Sequence, residues 1–187
     1  MSTVQEVIRE RRTIRNFTSE DIRTEVIMEL LEDAVYAPNH KLREPWSFIL
    51  VRDEAKKHLY EEIYASYRRQ EVSNNLEKKM EKMEVFIKSC PIHLIVTMEQ
   101  STKQKVWEED YAATCALIQN LQLLGWDKQI GMVWKTNPYI YDPAFSEAMG
   151  IQSDKKIVGV IHIGKPAQLP KAKIRKKPNE LVEIRTN

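Results

Sequence analysis

Glycine is scarce in this chain, with five in 187 residues. None belongs to a GxGxxG after an apolar run, and no GxxxxGK[ST] occurs. Both glycine-rich backbone cradles for phosphate are therefore excluded, and any phosphate ligand must be held by side chains. Cysteine is scarcer still. Cys90 and Cys115 both sit in apolar surroundings and neither is part of a CxxC, which predicts buried thiols in a reducing compartment over a disulfide. No apolar run approaches twenty residues and no positive-then-apolar leader follows Met1. That predicts no membrane span and a cytoplasmic location. Charge of one sign is not in excess: 29 Lys and Arg face 27 Asp and Glu, a net +2. A nucleic-acid footprint over the whole surface is excluded, although a local basic patch is not. There is no Gly-x-Ser-x-Gly elbow and no His and carboxylate pair near a candidate nucleophile. His93 and His162 each lie inside an apolar run and read as packed residues. No second His or Cys is spaced to form a metal site with either.

What is present reads as one domain with a real core, since 42% of the residues are hydrophobic and 30% charged. Val4, Val7 and Ile8 predict a short helix. Ser19-Glu20-Asp21 reads as the start of a second, with Ile22, Val26, Ile27, Leu30, Leu31, Ala34 and Val35 at helical spacing and Pro38 ending it. Strands are expected at 46–51, 92–97, 131–134 and 156–163, and further helices at 55–69 and 142–149. Leu76, Met80, Met83 and Ile87 form one apolar stripe on an otherwise charged helix, which suits a surface helix resting on the core. The segment Trp107–Trp126 is apolar on most of its circumference, so it belongs in a large core or a subunit interface, with Gly125 near its end as a breaker. Four strands separated by helices leave α+β and α/β both open.

Arg11-Arg12-Thr13-Ile14-Arg15 packs three guanidinium groups and a hydroxyl into five residues. Guanidinium is a planar fork that matches phosphate oxygens in pairs. Alone, such a run is most simply a solvated basic turn. With no glycine cradle elsewhere, and a basic tail at Lys171, Lys173, Arg175, Lys176 and Lys177, it becomes a candidate anion clamp. Anion-binding groups, aromatics and an oligomer-forming helix without an evident acid, base or nucleophile suit a protein whose chemistry belongs to a bound cofactor.

Five segments, in order, resemble the nitroreductase family of flavin enzymes. Arg11-Arg12-Thr13-Ile14-Arg15 resembles the family's RRSxR. Ala37-Pro38-Asn39-His40 to Pro45-Trp46-Ser47-Phe48 resembles its second motif. Trp107-Glu108-Glu109-Asp110 and the helix after it resemble the central dimer helix. Gly131 to Thr136 resembles the loop that covers the flavin, and Lys156 to Pro166 resembles the closing strand with its GxP end. The family's Gln before Pro-Trp is Glu44 here, and the polar residue two places earlier is Leu42. A carboxylate near a reduced flavin is unfavourable unless it points away or pairs with Lys41 or Arg43, so Glu44 is left outside the expected site.

The resemblance implies a single FMN-dependent domain over residues 1–187. Its fold would be α+β, with a mixed, mostly antiparallel central sheet flanked by helices, assembled as an intertwined homodimer with FMN at the subunit interface. Arg11 and Thr13 would contact the FMN phosphate and ribityl chain, with Arg12 helping. Arg15 would reach the pyrimidine edge or the phosphate. Pro38, Asn39 and His40 would come from the other subunit and pack on the isoalloxazine. Met132, Val133 and Trp134 would line the site beside the ring, and Arg175 or Lys176 would complete the phosphate site. The implied activity is ping-pong oxidation of NAD(P)H, hydride passing through flavin N5 to nitroaromatics, quinones or another small electrophile. The same fold and cofactor could instead serve reductive dehalogenation or flavin breakdown. A non-enzymatic basic binding module is disfavoured by the near-zero net charge and by the lack of aromatics among the basic residues.

Overall fold

The computed structural model describes residues 3–70 and 75–186. Helix α1 (Val4–Glu10) opens on a capping box, in which Thr3 Oγ1 accepts the Glu6 N–H and the Glu6 carboxylate accepts the Thr3 N–H. Helix α2 (Thr24–Ala34) begins later than Ser19-Glu20-Asp21 suggested. The Asp21 carboxylate is taken by Arg52 at 3.0 and 3.1 Å, and the same guanidinium bonds Thr24 Oγ1 and the Ile22 carbonyl. Those bonds hold 21–23 out of the helix.

Strands β1 (Trp46–Arg52), β2 (Ile92–Glu99), β3 (Gly131–Lys135) and β4 (Lys155–Gly164) form one sheet in the order β1-β2-β4-β3, every pairing antiparallel. The parallel component is a single bridge from Thr13 to Met132. Helices α3 (Ala55–Arg69), α4 (Leu76–Ser89), α5 (Gln104–Asp127) and α6 (Pro143–Ala148) complete the α+β arrangement. Ile92, Leu94, Val96 and Met98 of the inner strand β2 face a core with α2 and α5, while Ile95 faces a second core with α3, α4 and α6. Burial on both faces is why β2 reads as an unbroken apolar run. Val96 pairs with Gly159 and Thr97 with Ile157, so Val158 is an extra residue in β4. Parity therefore reverses there: Ile161 and Ile163 face α5 on one side of the bulge and Val158 does so on the other.

Helix α4 rests on the core through buried Met80 and Ile87, as its stripe predicted. Helix α5 buries Ala113, Leu117, Ile118 and Leu121, while Trp107, Tyr111, Cys115 and Ala116 stay partly exposed. Gly125 is not the breaker it was expected to be, because the helix runs on to Asp127. A Cβ there would come within 2.5 Å of Met132 Cε, so Gly125 sits where the Met132 side chain of β3 packs on α5. No helix among the described residues is long and apolar enough to cross a membrane.

Candidate functional site

The segment after α1 is fixed from one side by the sheet. Ile14 N–H donates to the Met132 carbonyl at 3.1 Å and the Ile14 side chain is fully buried beside Phe17, Cys90 and Val133. In extended backbone, burying Ile14 turns Thr13 and Arg15 to the other side. Arg12 Nη1 donates to the carbonyls of Arg9, Glu10 and Arg11 at 2.7, 2.7 and 3.1 Å. The guanidinium thus closes the negative end of α1. Arg11 is half-buried and Nη1 reaches Gln122 Oε1 at 3.4 Å. Its pKa is held below the ordinary arginine value, first by burial and then by the charges of Arg12 and Arg175.

These residues line a cavity of about 480 Å³, the size of a cofactor pocket. Arg11, Arg12, Thr13 and Arg15 form one wall and Lys171, Lys173 and Arg175 of the tail the other. Lys176 is not among the lining residues. Arg9, in the last turn of α1, is, and it was not foreseen. No Asp or Glu lines the cavity. Like charges so close, one of them desolvated and none facing a carboxylate, are unfavourable without an anion between them. The donor set therefore fits a phosphate group.

The other expected site residues lie elsewhere on the chain. Pro38, Asn39 and His40 are not part of the cavity wall. Asn39 Oδ1 accepts the Glu44 N–H at 3.1 Å and Nδ2 donates to the Ala37 carbonyl at 3.3 Å. Lys41, Leu42 and Glu44 hold positive φ of 56°, 50° and 46°, strained for residues with side chains. Arg43 anchors this loop to α5, bonding Asp110 Oδ1 at 2.8 Å and Glu109 Oε2 at 2.9 Å. Arg43 is thereby engaged away from Glu44, whose side chain is exposed. On β3, Met132 and Val133 are buried and their side chains are used in packing on opposite faces of the sheet. Trp134 is half-buried, its Nε1 donating to the Val158 carbonyl at 3.3 Å and its indole lying on Gly159.

A buried cluster appears where the sequence offered two isolated histidines. His93 and His162 pair across β2 and β4 with Nδ1 to Nδ1 at 2.6 Å, and ligand atoms of Cys90, His93 and His162 all lie within 4.8 Å of one another. His93 Nε2 contacts the Ile87 carbonyl at 3.1 Å, and that contact requires a hydrogen on Nε2. His93 Nδ1 is then an acceptor and His162 Nδ1–H the donor, which leaves His162 Nε2 buried without a partner among the described residues. Cys90 Sγ donates to the Ile92 and Ile163 carbonyls, and burial pushes its thiol up to about 12. The two rings spend their facing nitrogens on each other and not on a common centre. Register pairing of His93 with His162 could not be read before the strand order was known. Lys135 stands nearby with its ammonium 3.5 Å from the Phe86 ring centre, its pKa pushed by burial down to about 8.

The fold defines the class. It superposes on the nitroreductase-like family protein of Bacillus cereus with a TM-score of 0.93 at 36% identity, covering 100% of this chain and 98% of that one. A nitroreductase-type protein of Desulfovibrio desulfuricans, solved in complex with FMN, shares the fold at a TM-score of 0.75 and 21% identity, covering 100% and 99%. In sequence, the chain is 37% identical over 174 residues to the Bacillus subtilis (strain 168) protein YfhC, by name an NAD(P)H nitroreductase, covering 93% of this chain and 90% of that one. The profile of the nitroreductase family matches residues 8–165, and the chain belongs to that family.

Proposed function

We propose that residues 1–187 act as a single FMN-dependent oxidoreductase domain that oxidises NAD(P)H and reduces a small electrophile. The observation that carries this reading is the carboxylate-free basic cavity at Arg11, Arg12, Thr13, Arg15 and Arg175 in a chain of this family. FMN-bound proteins of the same fold support the choice of cofactor.

Arg11 and Thr13 hold the FMN phosphate, Arg11 by a charge-assisted bond and Thr13 through its hydroxyl. Arg175 closes the phosphate site from the tail. Arg12, already bonded to three carbonyls of α1, fixes the position of Arg11 and adds charge. Arg15 places a further cation where the pyrimidine edge or the phosphate lies. Trp134 gives an apolar wall, while Met132 and Val133 set the position of the β3 backbone. Pro38, Asn39 and His40 serve the isoalloxazine of the other protomer, which requires a homodimer with FMN at the subunit interface. The partly exposed face of α5 and the exposed Leu169, Ile174, Leu181, Val182 and Ile184 of the tail are apolar surfaces suited to that dimer. When bound, FMN supplies two-electron chemistry, taking hydride at N5 from the nicotinamide and giving it to the acceptor, so no protein nucleophile is needed.

Purified protein should carry or take up about one FMN per chain. Steady-state rates at varied NADPH and varied nitroaromatic or quinone should give parallel double-reciprocal lines. Substituting a halogenated aromatic or reduced flavin as the second substrate separates dehalogenation and flavin breakdown from nitro or quinone reduction. Failure to bind FMN, or intersecting lines, would contradict the proposal.

A further inference from the structure

The basic cavity holds more charge than one phosphate can use. Five arginines and two lysines line it, with no acidic residue among them. A bound flavin phosphate carries about −1.5 to −2 at pH 7, which leaves roughly five positive charges facing the same space. The cations also differ in depth. Arg11, Arg12 and Thr13 are half-buried, whereas Arg9, Lys171 and Lys173 are exposed. Arg12 is committed to the end of α1 and Arg11 is tied to Gln122. Among the described residues the ammonium groups of Lys171 and Lys173 have no ion pair or hydrogen bond, so they are available to a ligand that enters from solvent. Flexible lysines suit a ligand that must bind and leave in each turnover, and half-buried arginine forks suit one that stays.

We infer that Lys171 and Lys173, with Arg9, form a second anion subsite at the mouth of this cavity that takes the 2′-phosphate of NADPH, making NADPH the preferred hydride donor over NADH. The inference rests on the reading of Arg11 and Thr13 as the FMN phosphate clamp. The two dinucleotides differ only in that phosphate, whose added charge of about −1.5 to −2 is the one feature these residues can distinguish. The nicotinamide chemistry is the same for both.

The test uses the FMN-loaded protein. The ratio of kcat/KM for NADPH over NADH should be about tenfold or more, as one charge-assisted contact gives. It should fall as KCl rises from about 50 to 300 mM, because the mouth of the cavity is screened. In a Lys171→Ala/Lys173→Ala variant the ratio should collapse toward one. Calorimetric titration should detect adenosine 2′,5′-bisphosphate binding far more tightly than 5′-AMP to the parent, with the difference lost in the double variant. A ratio near one in the parent, or bisphosphate binding unchanged in the variant, overturns the second subsite while leaving the flavin reading intact. Failure of the parent to take up FMN overturns both.

Discussion

Arg11 is where burial and charge meet most directly. It is half-buried, bonded to one neutral side chain and repelled by Arg12 and Arg175. An anion bonded there relieves that repulsion, so Arg11→Ala should weaken FMN binding by about 2 kcal/mol, roughly thirtyfold in Kd. Fluorescence titration with FMN measures it, and an unchanged Kd would remove Arg11 from the phosphate site. Gly159 makes a different demand. A Cβ there would overlap Trp134 Nε1 and Cδ1, so Gly159→Ala must push the indole off the bulge. We expect a loss of about 1–3 kcal/mol by denaturant unfolding. The flavin environment should shift with it, visible in the absorption spectrum, because Trp134 is the half-exposed side chain of β3 assigned to the ring. The arginine run was legible from five consecutive residues, and the glycine constraint was not. The clash is between residues 25 apart in sequence, brought together only by the pairing of β3 with β4.

Among the elements, helices and strands with a clean period emerged from sequence with close boundaries: α3 matches its expected 55–69, and β1 to β4 extend their expected runs by one or two residues. What failed was punctuation. Asp21 looked like the start of α2, yet its carboxylate serves Arg52 thirty-one residues on; Gly125 looked like a stop and is a close-packing point within α5. The His93–His162 pair was hidden for the same reason, and it links three elements: β2, β4 and, through Ile87 and Phe86, the last turn of α4. Burial, reinforced by Lys56 and Lys135, lowers the His93 pKa to about 4, and that of His162 lies well below the ordinary value of 6.5. The unfolded chain therefore binds protons before the native state does. Stability should be full above pH 6.5 and should fall as the pH drops toward 4. For His93 alone the loss amounts to about 3 kcal/mol at pH 4. Carboxylates such as Glu109, lowered chiefly by its bond to Arg43, act at lower pH, below their ordinary value of 4.5. Urea midpoints between pH 7.5 and 4.5 should isolate the histidines, and a flat profile over that range would contradict the lowering of their pKa values by burial.

At the scale of the whole molecule, the tail carries both apolar and basic demands. Ile174 is fully exposed and Leu181, Val182 and Ile184 are largely so, while Lys171, Lys173 and Arg175 complete the basic cavity. Ending the chain after Pro166 should therefore weaken the dimer and the cofactor site together. Light scattering should show the full chain as a dimer and the shortened one shifted to monomer, with FMN affinity reduced at least tenfold by loss of the Arg175 contact. A shortened chain that stays dimeric and keeps its FMN would refute that coupling. Glu44 illustrates a limit of resemblance at this scale: its departure from the family pattern was visible, but the positive φ at Lys41, Leu42 and Glu44 and the anchoring of Arg43 on α5 were not. The central claim is that this basic cavity holds a redox-active FMN served by a nicotinamide donor. The visible spectrum of the FMN-reconstituted, gel-filtered protein before and after anaerobic addition of NADPH tests it most directly. The account predicts a visible flavin absorption band that co-elutes with the protein, bleaches with NADPH and returns when a quinone is added. A colourless protein after reconstitution, or a bound flavin that NADPH leaves unbleached, would contradict it.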